Sequence, residues 1–175
     1  MARTPGIVDA IHAIAPRLAV TEVDVAGPPT SSALRAAGWA EAAVLLGSPS
    51  VTAPNGATAT ATISDDEVDV RVACGDPLDE VVLRSYCIGA VHMALGWVRS
   101  EGLMVDDTGE VHDLTIRSFG IVRPGDMPHV EVTIESGGGP PVNGSDAVFA
   151  AVAAAEWIRQ GYPQDWPTGP SGGTR

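Results

Sequence analysis

The chain has 175 residues, 45% of them hydrophobic, with 10 basic against 22 acidic side chains and a net charge of −12. That length suits one domain with a real core, and that charge repels phosphate backbones and anionic lipid, which sets nucleic acid and membrane aside as expected partners. All 10 basic residues are arginine, which excludes a lysine Schiff base and a phosphate-loop lysine.

No stretch reaches the roughly 20 apolar residues of a membrane span. The start, MARTPGIVDAIHAIAPR, lacks the apolar core and small-residue cleavage site of a secretory signal, so the expected location is cytoplasmic. Cys74 and Cys87 are too few for a structural zinc site and are expected to be reduced thiols.

In chain order, residues 4–15 read as a short helix stopped by Pro16, and RLAVTEVDV as a strand. Residues 31–37 add a helical turn. AEAAVLLG reads as a strand, and ATATATIS as another, with threonines on a wet face. DEVDVRVA follows as the next. The strongest helix is predicted from Pro77 to about Ser100, with Asp76 as its cap, Pro77 at its first position and Asp79 in its first turn. Its apolar stripe is Val82, Tyr86, Ala90, Met93 and Trp97, widened by Leu83, Cys87, Val91 and Val98. Gly89 and Gly96 cost that helix stability, so another backbone is expected to pass beside them. A hairpin turns at DDTG, and HVEVTIES is a further strand. The last helix runs from about Ser145 to Gln160, capped by Asn143 with Asp146 and stopped at Gly161. The expected fold is α+β: a mixed or antiparallel sheet packed by two principal helices, one domain over residues 1–162. A flexible Pro/Gly-rich tail follows over 163–175, with Trp166 as its one anchor.

From Gly75 onward the sequence keeps an ordered set: Gly75, Gly89 with Ala90, Gly96, Glu101, the turn from Asp106 to Gly109, Asp126 with Pro128, and the strand from Val130. In order and spacing, over about residues 40–161, it resembles the C-terminal part of the molybdenum-binding subunit of the xanthine dehydrogenase and aldehyde oxidase family. In that family the loop before the last helix reads Gly-x-Gly-Glu-Pro-Pro, and its glutamate is the general base beside the molybdenum. The matching residues here are Gly137, Gly138, Gly139, Pro140 and Pro141, so Gly139 stands where the glutamate would. The family's Asn-Pro corresponds to Asp79-Glu80, and its helical glutamine to Tyr86. The family's other pterin-holding segments have no match in this chain, nor has an iron–sulfur cysteine pattern. The resemblance therefore implies no molybdenum hydroxylation by this chain alone. It implies no cofactor bound alone either, and molybdopterin only where a partner subunit supplies the rest of the site.

The residues themselves leave alternatives open. Backbone N–H groups of Gly137, Gly138 and Gly139 at a helix start suit an anionic substrate, although such a run also serves as a plain strand-to-helix connection. Arg117 and Arg123 can clamp a carboxylate or pair with this chain's own acids. His92, His112, Asp113, His129 and Tyr86 are the candidate proton-transfer groups. The histidines lack metal-ligand spacing, so no metal site is expected. Two functions fit. One is an accessory or split subunit of a molybdenum-hydroxylase-like enzyme, partnered by a larger molybdopterin-binding chain or a second copy. The other is a freestanding acid–base enzyme, such as a cyclase, isomerase or dehydratase. A small-molecule binding protein is the third possibility.

Overall fold

A computed structural model describes residues 8–9, 12, 16–17, 19–24, 43–44, 47–112, 115–163 and 167–169. Six strands are described: β1 (Ser50–Thr52), β2 (Thr58–Ile63), β3 (Glu67–Ala73), β4 (Met104–Val105), β5 (Val111–His112) and β6 (His129–Glu135). The helices described over their whole length are α1 (Glu80–Arg99), the one-turn α2 (Ile116–Phe119) and α3 (Ser145–Arg159), with a 3-10 turn at Pro124–Asp126. The main sheet has the order β1-β2-β3-β6. β1, β2 and β3 are antiparallel neighbours, whereas β3 and β6 run parallel, with Val68 opposite Val130 and Val70 opposite Val132. A parallel pair needs a long crossover, and α1 lies within it. The expected α+β fold with a mixed sheet and two principal helices is what forms.

Alternation decides the faces. In β3, Val68, Val70 and Val72 are buried while Glu67, Asp69 and Arg71 are exposed. In β2, Ala59 and Ala61 point inward and Thr58, Thr60 and Thr62 outward, the wet threonine face that the sequence predicts. The inner face carries α3, which is apolar almost all round: every residue from Ala150 to Ala155 is buried. Such a helix belongs at the centre of a fold. Its alanines let the sheet and α1 approach closely.

Glu156 ends this helix fully buried. Arg99 Nε lies 2.8 Å from one carboxylate oxygen, Arg159 Nε 2.9 Å from the other, and Arg159 also reaches Asp65 at 2.9 Å. Burial pushes the Glu156 carboxyl up, but hydrogen bonds from Arg159, Arg99 and Gln160 outweigh it and hold the group down at about 2.

Several sequence expectations change. Ala43 and Val44, within the predicted AEAAVLLG strand, are helical and buried; alanine favours helix intrinsically and the two pack against the core. Residues 31–37, most of 4–15 and Trp166 lie outside the described residues. Within RLAVTEVDV, the described residues 19–24 hold only an isolated bridge at Val23. Asp79, not Asp76, caps α1, its carboxylate accepting from the N–H groups of Val81 and Val82. The buried stripe of α1 is Leu83, Cys87, Ala90, Val91, Ala94, Leu95 and Val98. Val82, Tyr86 and Met93 face outward instead. Asn143 accepts from Ser145, not Asp146, and Gly144 takes the cap position because a Cβ there would meet Val72 Cγ2 at 2.8 Å. Part of the tail is tied down: the N–H groups of Thr168 and Gly169 donate to Val98 and Arg99 at 2.7 and 2.9 Å.

Glu156 has a pH consequence. A carboxyl held below its ordinary value contributes stability above that value, and the contribution is lost as pH falls through about 2. Urea midpoints should therefore fall as pH drops below about 4, and in Glu156→Gln this slope should flatten. That variant should also be destabilised at pH 7 by about 3 kcal/mol, because two arginines lose their buried partner. An unchanged midpoint at pH 7 would contradict the account.

Candidate functional site

The site region lies where the strand-to-helix connections of β3–α1 and β6–α3 meet. Gly75, with φ +76, follows β3; a Cβ on it would lie 2.2 Å from the Pro140 carbonyl oxygen. Only glycine lets the two loops touch here. Two backbone bonds close the contact: Asp76 N–H to Gly139 O at 3.1 Å and Val142 N–H to Cys74 O at 2.9 Å. The glycine–proline loop is thus clasped to the end of β3. Gly138 and Gly139 have φ +63 and +98, a left-handed backbone that side chains resist. Asn55 Nδ2 donates to Asn143 O at 2.8 Å and anchors the far end of the loop.

Between this loop and the start of α1 runs an open groove of about 300 Å³. Its walls are Pro77, Leu78, Val82 and Tyr86 on one side and Pro141 and Val142 on the other, with Cys74 and Leu83 between. Asp79 and Asn143 border it, but Asp79 serves the helix cap and Asn143 holds Ser145. The groove is apolar, with the Tyr86 phenol as its distinctive polar group.

Beyond the groove the apolar surface continues along α1. Leu78 is 92% exposed, Val81 78%, Tyr86 64% and Met93 54%. Within α1, positions 82, 86, 89 and 93 follow helical spacing and share one face, with Leu78 just before the helix. Gly89 lies in its middle, and a Cβ there would meet nothing within 4 Å. The backbone expected beside Gly89 is absent among the described residues, and Gly96 is covered by the Glu101 side chain instead. True backbone approaches occur at Gly75, at Gly120 against Ser100 O, and at Gly169 against Arg99 O.

Of the residues singled out in sequence, Tyr86 lines the groove, and Gly137–Gly139 precede its Pro141 wall. The six remaining candidates lie elsewhere or outside the described residues. His92 Nε2 is 2.7 Å from Val122 O on the segment after α2. Near it Glu101 folds over Gly96; burial pushes its carboxyl up, and His92 pulls it back. His112 is exposed on the hairpin, its Nε2 2.7 Å from Asp106 Oδ2. Hydrogen bonds from His112, Thr108 and Glu110 hold Asp106 well below the usual carboxylate range. His129 opens β6, exposed, 4.0 Å from Glu131. Asp113 and the Arg117 side chain lie outside the described residues, and Arg123 is exposed at the 3-10 turn. One convergence escapes sequence spacing: ligand atoms of Asp106, Glu110 and His112 lie within 4.8 Å of one another. Asp106 is already taken up there by the turn and the imidazole. Burial pushes the Cys87 thiol up to about 11, so it is an inert core group.

No family model and no curated protein matches the chain. Solved structures align with part of the chain. A Cu,Mo-CO dehydrogenase in its carbon monoxide reduced state aligns at TM-score 0.49 and 10% identity over 57% of this chain. Quinoline 2-oxidoreductase from Pseudomonas putida 86 aligns at 0.46 and 18% over 58%. A reconstituted CO dehydrogenase from Oligotropha carboxidovorans gives 0.47 and 10% over 57%. In each case the chain spans 14% of the other's length.

The clasp yields a test of the loop. Gly139→Glu, which puts an acid at the position the sequence resemblance singles out, places a side chain at φ +98 and should lose about 1–2 kcal/mol of stability. Gly75→Ala should lose more, since Pro140 must also move. Denaturant unfolding of both variants beside Gly137→Ala, expected to be near neutral, checks the ranking.

Proposed function

We propose that this chain is a non-catalytic, molybdenum-hydroxylase-like subunit that docks through the outer face of α1 onto a larger chain holding the pterin. The carrying observation is that face: Val82, Tyr86 and Met93 are exposed on one side of α1, with Leu78 just before it, beside an apolar groove. Contiguous apolar surface of this kind marks an interaction site. The loop supports the same reading. Gly137, Gly138 and Gly139 bring no acid or base, and the backbone at Gly138 and Gly139 suits glycine rather than a displaced glutamate. The sequence resemblance supplies the class of partner, and molybdopterin belongs to the partner's part of the assembly.

A second reading, a protein that binds a small molecule, is favoured by the groove itself. Its volume of about 300 Å³ is at the lower end for ligand pockets, with the Tyr86 phenol in its wall. The histidine candidates are not among its lining residues.

Native mass, molybdenum and pterin measured on one purified sample separate the two. The subunit reading expects the chain alone to lack molybdenum and to self-associate or aggregate through its apolar face. It also expects a defined complex with a larger molybdopterin-containing chain. A stable, soluble monomer without molybdenum, whose melting temperature rises with a small ligand, would establish the second reading.

A further inference from the structure

Resting on the docking reading above, we infer that the occupant of the α1 face is a helix of a different polypeptide, apolar along its contact stripe and basic where it meets the start of α1. Three features of the surface select this occupant. The face is long: 20 residues rise about 30 Å. At its midpoint Gly89 leaves an open spot with no atom within 4 Å of a built Cβ. Helices pack ridge into groove, and a missing ridge at mid-length lets a second helix approach there and set a side chain over Gly89. Alongside Leu78 and Val82, the apolar groove toward Pro141 and Val142 takes one large side chain of the same partner.

Charge chooses between partners. Asp76, Asp79 and Glu80 are exposed around Leu78 and Val81, so the apolar patch has an acidic border at its N-terminal end. Asp79 is spent on the helix cap, which leaves Asp76 and Glu80 to meet a cation. A second copy brings arginine only, with Arg17 and Arg123 exposed, on a chain whose net charge repels another copy of itself. The protein has no lysine and a net charge of −12. Arg71 pairs with Glu135, Arg84 donates to the Val132 carbonyl, and Arg99 and Arg159 hold Glu156. Complementarity therefore calls for arginine or lysine from another chain, flanking an apolar helix.

Two synthetic helical peptides of about 20 residues, matched to α1 in length, make the test. Both carry the same leucine–alanine stripe; one is flanked by arginine, the other by glutamate. Binding to the full chain is read by fluorescence anisotropy at low and high salt, with light scattering of the protein alone. The inference predicts that the arginine-flanked peptide binds at least about tenfold tighter and that salt narrows the gap. Glu80→Arg should erase the preference. Leu78→Asp should abolish binding while circular dichroism stays unchanged, because Leu78 precedes the helix and is 92% exposed. Equal binding of both peptides, indifferent to Glu80→Arg but lost in Leu78→Asp, overturns the basic partner and leaves the docking face standing. A dimer of the chain alone, broken by Leu78→Asp, overturns it in favour of a second copy. A monomer that binds neither peptide overturns both this inference and the docking reading.

Discussion

Helix α3 sets the spacing of everything else. Its run from Ala150 to Ala155 is buried on all sides, so the sheet and α1 both rest against a cylinder of small side chains. A helix of 15 residues has little stability of its own in water even when rich in alanine, and depends on being surrounded. That dependence explains why the charged end of α3 is buried with it: Glu156 is neutralised from two sides, by Arg99 at the end of α1 and by Arg159 of its own last turn. The ion pair thus ties α1 to α3 where the alanine contact ends.

From that packing the outer surface of α1 follows. A helix that packs on α3 and buries Leu83, Cys87, Val91, Ala94 and Val98 turns the residues between them outward. Polar side chains would normally fill those positions. Arg84 and Ser85 do so here, but Val81, Val82, Tyr86, Ile88 and Met93 are exposed as well. The fold does not require this composition; contact with something else would. The clasp of Gly75 on Pro140 fixes one wall of the groove at the head of this surface, so the groove is a rigid feature with two backbone hydrogen bonds behind it.

Much of this was legible in the sequence. Period-two alternation marked β2, β3 and β6, and the Asp106–Gly109 turn marked the hairpin, because these signals are local. The final helix was marked by its length and by Gly161. The orientation of α1 was not legible. Its apolar residues cover more than one face, so periodicity alone could not say whether Val82 or Leu83 looked inward; the contact with α3 decides. The missing signal was Leu78, an apolar residue just before the helix that lines one groove with Val82 and Tyr86. The Asp76 cap reading failed because Asp79 also offers a carboxylate, to Val81 and Val82, and the chain turns there. Nor could spacing show the Gly75–Pro140 clasp, which joins residues far apart in the chain. The positive φ angles of Gly138 and Gly139, invisible in the sequence, give a backbone reason for two of the glycines in that loop.

Hydroxyl-radical footprinting of the dilute, monomeric chain tests the central claim most directly. The account predicts rapid oxidation of Leu78, Tyr86 and Met93 beside strong protection of Leu83 and Leu95. Protection of Tyr86 and Met93 equal to that of Leu95 in the monomer would contradict it, because the outer face of α1 would then be covered by the chain itself.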